Sequence, residues 1–231
     1  ADQGRPKQAM IRLLARARVN SSDPELFSGL VHACRYCGLL EASVAAHEQA
    51  ARLDPNIITS VGHSYFYLGD YDRAMRASMG DFGYLKGVAL GMLNRREEAI
   101  SILHETEQKF PLAVLRGYPV SLRALLEGRR SESIEAAEAT IAAHLRDPEG
   151  LFYLGRQFVY LGETARALEI LAQSVERGFI CFPAFARDRW LDPLRDNPEF
   201  VRILGLVEGR YREAVAAFRE AGGEQVLGTS S

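Results

Sequence analysis

The chain has 231 residues, of which 47% are hydrophobic and 25% charged, so it can bury a sizeable core and has the balance of a globular domain rather than a disordered one. A net charge of −2 gives no general attraction to nucleic acid or to an anionic membrane, and three cysteines are too few and of the wrong parity for a disulfide framework. No apolar run approaches the roughly 20 residues that span a bilayer, and the opening ADQGRPKQAM lacks the apolar stretch of a secretion signal, so a cytoplasmic setting is expected.

Apolar residues recur at three- and four-residue spacing almost throughout, which predicts an all-α chain. Residues 1–20 read as one helix carrying Gly4, Ala9 and Leu13, the second half of a helix pair whose first half would precede residue 1. The expectation is a piece of a longer chain, with a lone capping helix as the alternative. Its basic residues Arg5, Lys7, Arg12, Arg16 and Arg18, against the single acid Asp2, read as a solvated face or a junction.

Five helix pairs are predicted over 23–178. The first opens at Asp23-Pro24 and the second at Asp54-Pro55, each a capping oxygen followed by a first-turn proline. Within the first, Cys34 and Cys37 form a CxxC next to His32. They stand in the last turn of a helix and not at its N-terminus, where the dipole would favour a thiolate, and zinc would need a fourth ligand. Buried structural thiols are expected. The second pair holds YFYLGDYDRA, its second helix cut short by Gly80 and Gly83. In the third, Gly83, Gly87 and Gly91 share one face, a weak helix at about 1 kcal/mol per glycine. The fourth carries Gly117-Tyr118-Pro119, so its first helix either starts late or kinks. The fifth, Pro148 to Gly178, is the clearest: Leu151, Leu154, Gly155, Phe158 and Leu161 on one helix, a stop at Gly162, then Ala167, Leu168, Leu171 and Val175. Residues 179–197 are dense in proline and aromatics, with Trp190 and Leu194 expected to fold over the end of a stack. Asp188, Asp192 and Asp196 read as helix caps. Capping helices at 198–223, opened by Asn197-Pro198 and turning at Gly209, and a solvated tail at 224–231 complete the chain.

The pairs share a register. Turn residues fall at Gly4, Gly38, Gly69, Asn94, Gly128, Gly162 and Gly209, at intervals of 34, 31, 25, 34, 34 and 47. Five residues after each comes Ala9, Ser43, Ala74, Ala99, Ser133, Ala167 or Ala214. Gly62, Gly87, Ser121 and Gly155, with Val31 as the bulky exception, stand where a first helix would let its partner approach. On these residues the chain resembles a tetratricopeptide-repeat array, whose period is about 34 residues. Phe27, Ile58, Gly83, Gly117 and Leu151 occupy the family's early aromatic position, and Pro55 and Pro111 its closing proline. The resemblance implies a right-handed superhelical solenoid of antiparallel helix pairs, about five to six repeats plus the leading half repeat. RWLDPLRDNPEF is similar to a segment at the C-terminal ends of such arrays in bacterial multidomain regulators, including serine/threonine kinases, cyclases and winged-helix transcription factors.

By the same resemblance the concave wall carries His32, Arg35, Tyr36, His63, Phe66, Tyr67, Tyr84, Met92, Tyr118, Tyr153, Arg156 and Tyr160. Aromatics with interspersed arginines suit a partly apolar peptide; many of these rings could equally be inter-helix core, whereas arginine is rarely core, which puts Arg35, Arg156 and Tyr160 foremost in the set. His32, Ser28 and Ser60 replace the lysine and asparagine with which the family clamps acidic chaperone tails. His32 and His63 hold matching places in adjacent repeats. The chain lacks GxGxxG, GK[ST], GxSxG and HExxH, so neither an enzyme nor a cofactor is expected. The expected function is a protein-interaction module, the regulatory or scaffolding part of a larger bacterial protein, binding a protein or peptide without nucleic-acid or membrane contact. Array ends could pair into a homodimer. The alternative is a peptide- or ligand-sensing domain of a transcriptional or signalling regulator, which should have a deep pocket rather than an open groove.

Overall fold

The computed structural model describes residues 4–77, 83–109, 113–143 and 147–229; Asp2, Gly80 and Pro111 lie outside them. Every regular element among these residues is helical. A single helix, α1 (Pro6–Val19), precedes five pairs: α2 (Pro24–Tyr36) with α3 (Leu40–Leu53), α4 (Val61–Leu68) with α5 (Tyr71–Ala77), α6 (Tyr84–Met92) with α7 (Arg96–Lys109), α8 (Ala113–Leu126) with α9 (Arg130–Ala142), and α10 (Pro148–Tyr160) with α11 (Thr164–Glu176). Then come α12 (Phe182–Arg187), a 3-10 turn (Arg189–Leu194), α13 (Pro198–Glu220) and α14 (Gly223–Leu227).

The pairs owe their shape to one local device. Each first helix ends on a residue in the left-handed region, Gly38, Gly69, Asn94, Gly128 or Gly162. At Gly38 its N–H reaches back to Arg35 O at 2.8 Å while Leu39 N–H reaches Cys34 O at 2.9 Å. The same two bonds recur at the other four turns, so the last carbonyls are satisfied and the chain reverses within three residues. Gly4 shares the left-handed conformation, but Gly209 does not. α13 runs straight through it as one 23-residue helix, capped by Asn197, so the last hairpin predicted from the register does not form. Asp54-Pro55 likewise starts no helix. Asp54 accepts Asn56 N–H at 2.9 Å in a local turn, and α4 begins only at Val61. α8, in contrast, runs through Pro119 and does not start late.

Helix pairing rests on small residues where two backbones come close. Ser43, Ala74, Ala99, Ser133, Ala167 and Ala214 are all fully buried. A Cβ on Gly87 would lie 2.6 Å from Leu103, and one on Gly155 2.8 Å from Leu171. The serines also bond to the partner backbone: Ser43 donates to Val31 O at 2.7 Å, Ser133 to Ser121 O at 2.8 Å and Ser174 to Pro148 O at 2.7 Å. Consecutive helices from α1 to α9 pack on one another, and α10 packs on α11, α8 and α9.

α10 is what departs from an open array. Its one face, with Leu151, Leu154 and Phe158, meets α11, while its other face crosses the inner side of the earlier first helices. Glu149 bonds Arg35 of α2, Tyr153 bonds His63 of α4, and Gln157 bonds Tyr84 of α6 and Ser121 of α8. Twelve of its thirteen residues are buried. The segment after α11 seals this arrangement: Ile180 N–H donates to Tyr36 O at 2.9 Å, and Phe179 sits among Tyr36, Tyr67, Phe152 and Phe185. α12 then packs on α4 and α13, and α13 and α14 reach α1. Residues 179–194 therefore wedge between late and early repeats instead of covering an open end. The accessible surface, 11113 Å², is close to the roughly 10,400 Å² of a compact chain of this mass.

A candidate ligand cavity at the N-terminus of the fifth pair

Crossing the inner face leaves a space at the start of α10. It has a volume of about 450 Å³ and is lined by His32, Arg35, Tyr36, Ser60, His63, Tyr84, Tyr118, Asp147, Pro148, Glu149, Gly150 and Tyr153. Five first helices contribute, α2, α4, α6, α8 and α10. The size is within the usual range for a small-molecule site.

Its frame is an ion pair between helices far apart in sequence. Arg35 Nε donates to Glu149 Oε1 and Nη2 to Oε2, both at 2.9 Å, with both side chains almost wholly buried. Arg35 Nη1 donates to Ser60 O at 3.0 Å and Ser60 Oγ at 2.7 Å, and Nη2 also to His32 Nδ1 at 3.2 Å. A guanidinium has five N–H groups, and these five contacts use them all. At the rim, Asp147 caps α10 by accepting Glu149 N–H at 3.0 Å and also accepts the Tyr36 hydroxyl at 2.6 Å. Asp147 is exposed as a residue, yet its carboxyl is crowded by protein and lies near Glu149, which together push it above the ordinary carboxylate value.

The aromatic side chains form walls set at angles. Tyr84 meets Tyr118 at 5.5 Å and 57°, and Tyr153 at 5.8 Å and 85°. His32 stacks on Tyr36 at 4.2 Å. Burial pushes the Tyr36, Tyr118 and Tyr153 hydroxyls up, aided by the nearby carboxylates, so all three stay protonated. The Tyr118 hydroxyl is buried without a hydrogen-bond partner. Desolvation and the Arg35 charge hold His32 down at about 4 and His63 at about 3, so both rings are neutral at pH 7. His63 Nδ1 shares a 2.9 Å hydrogen bond with the Tyr153 hydroxyl.

Of the wall residues expected from the sequence, His32, Arg35, Tyr36, His63, Tyr84, Tyr118 and Tyr153 do converge, but around a half-open pocket. Phe66 and Tyr67 lie behind it, buried, and border a smaller space of about 100 Å³ with Met92 and Asp188. The expectation that arginine would not be core is overturned. Arg35 and Arg156 are each only 1% exposed, because each has a carboxylate partner. Arg156 pairs with Asp188 at 2.5 Å and lies 4.3 Å from the Trp190 ring. Tyr160, 56% exposed, lies tilted at 44° against that same tryptophan, 4.8 Å between ring centres, outside the cavity. As an open peptide-binding wall, the expected set is therefore mostly interior.

Asp147, Glu149 and Asp188 were not singled out as site residues from the sequence; the cue available was a pair of acids opening an otherwise apolar helix. Asp188 does cap the 3-10 turn, accepting Trp190 N–H at 2.9 Å, as expected, while also neutralising Arg156. Cys34, Cys37 and Cys181 are free and buried. Burial pushes the Cys34 thiol up to about 12 and the other two higher still, so no thiolate is available as a nucleophile. The cavity wall thus carries two neutral, hydrogen-bonded histidines and an arginine with all its N–H groups engaged. No protein-family model matches the sequence, and no curated protein matches it.

Proposed function

We propose that the chain is a non-enzymatic sensing domain built on tetratricopeptide-like repeats, in which a small molecule or the end of a peptide enters the cavity at the start of α10. One observation carries this reading. The first helix of the fifth pair crosses the inner side of the other four, bonded to them by side chains, and leaves a half-open pocket at its start instead of a continuous groove. A ligand bridging α2, α4, α8 and α10 would bias how the early and late repeats meet, which is how such a domain would pass a signal on. The resemblance supports the rest: a right-handed superhelical array acting as the regulatory part of a larger bacterial cytoplasmic regulator.

Thermal unfolding against a panel of small molecules and short peptides tests this. A ligand at 100 times its Kd adds about 2.7 kcal/mol, or roughly 5–11 °C in Tm for a chain of this size. The shift should persist in Tyr160→Ala and vanish in Tyr118→Ala, each variant measured against its own unliganded Tm. A shift lost in Tyr160→Ala and kept in Tyr118→Ala would contradict the reading. That outcome would favour a second reading, a protein-interaction module, which the exposed Tyr160 against Trp190 supports as an outer contact point.

A further inference from the structure

We infer that the cavity takes an organic cation, an ammonium or guanidinium group carried by a free amine or by a basic side chain of a peptide. The inference rests on the proposed ligand site and names its chemistry.

Charge gives the first reason. Arg35 and Glu149 neutralise each other in a two-point pair. His32 and His63 carry no charge at pH 7. Among the lining residues this leaves the Asp147 carboxylate as the uncompensated charge, at the rim, where its Oδ1 is already held by the Tyr36 hydroxyl and the Glu149 amide.

An anion finds no comparable welcome. The one permanent cation on the walls, Arg35, has all five N–H groups directed at Glu149, Ser60 and His32. The α10 N-terminus is no better: Pro148 has no N–H, and that of Glu149 is taken by Asp147.

The walls give the second reason. Tyr84 stands edge-on to Tyr153 and tilted to Tyr118, so the three rings make a corner of an aromatic box and not a stack. Ring faces attract ammonium and guanidinium groups within about 6 Å, most strongly where water is excluded. The third reason is the Tyr118 hydroxyl, nine-tenths buried as a residue and without a partner. It lies against Gly150, where an added Cβ would fall 1.9 Å from the hydroxyl and 3.2 Å from Asp147 Oδ2. The phenol oxygen and the carboxylate thus flank the same glycine, where one N–H donor could serve both.

The test is calorimetry on the full chain at pH 7 with matched probes. Choline is compared with its neutral isostere 3,3-dimethyl-1-butanol, and agmatine and cadaverine with glutarate. Acetyl-Gly-Lys-Gly-amide and acetyl-Gly-Arg-Gly-amide represent the peptide source. At least one cation should bind ten-fold or more tightly than its neutral or anionic counterpart, and free amine against capped peptide tells which source fits. Asp147→Asn keeps the cap, since asparagine caps as well as aspartate, and should weaken that cation ten-fold or more while Tm stays within a few degrees. Tyr118→Phe should weaken a primary ammonium and spare choline. Equal binding of the neutral isostere, tighter binding of glutarate, or cation affinity unchanged in Asp147→Asn would overturn the inference while leaving a ligand cavity in place. No binding by any probe of any charge would overturn both.

Discussion

Replacing Glu149 with glutamine removes one charge and almost no volume, and so isolates what the pair with Arg35 contributes to holding α10 across the inner face. Both partners are almost entirely out of water, at 1% and 6% side-chain exposure. In Glu149→Gln the amide oxygen can keep one of the two 2.9 Å bonds, while the NH₂ group points a donor at a donor. The larger effect is a guanidinium left buried without a counter-charge, which costs about 3–5 kcal/mol. At about 2–4 °C per kcal/mol for this chain length, Tm should fall by about 6–20 °C. Glu98→Gln serves as the control, because the Arg95–Glu98 pair is solvent-exposed and such pairs contribute little to stability. Urea unfolding followed by circular dichroism and by the fluorescence of Trp190 measures both. The double variant Arg35→Met, Glu149→Met should recover most of the loss, since a packed apolar pair dispenses with the desolvation of two ions. A Glu149→Gln cost no greater than that of Glu98→Gln would refute the buried clamp.

Two further predictions test packing and protonation. Gly155→Ala should destabilise by about 1–3 kcal/mol, because its Cβ would meet Leu171 at 2.8 Å, whereas Gly205→Ala, with nothing within 4 Å, should stabilise by about 0.5–1 kcal/mol; equal signs in urea melts would contradict the packing. His32 and His63 sit at about 4 and about 3 in the folded chain and near 6.5 when unfolded. Below pH 6.5 the unfolded state takes up protons that the folded state refuses, so stability should fall on acidification, by about 2 kcal/mol per histidine between pH 7 and pH 5. The loss should shrink by that amount in His63→Phe, and an identical pH slope in that variant would remove His63 from the account.

The repeat was legible because it is written in local chemistry. Gly38, Gly69, Asn94, Gly128 and Gly162 each need the left-handed conformation at a turn, and a small residue five positions on lets the second helix approach. These are short-range demands that a sequence states directly. Gly209 has the same spelling but lies in a run continuous from the Asn197 cap, with no contact requiring a turn, and the helix passes through it. The inner crossing of α10 was harder to see. Reading Leu151, Leu154, Gly155 and Phe158 as its buried face was correct, but Phe152, Tyr153 and Val159, with the partnered Glu149, Arg156 and Gln157, bury the opposite face too. A helix buried on every side is a central one. Arginine's usual exposure misled at positions 35 and 156, because their partners Glu149 and Asp188 lie 114 and 32 residues away. Spacing along a chain carries no information about such pairs. The cavity follows from that crossing, so it could not be foreseen without it.

Small-angle X-ray scattering of the unliganded chain tests most directly whether the late repeats close onto the early ones. Closure predicts a radius of gyration near the roughly 17 Å of a compact chain of this length, with a single symmetrical distance distribution. A markedly larger radius with an elongated tail would mean that α10 leaves the inner face open, and the pocket at its start would not exist in solution.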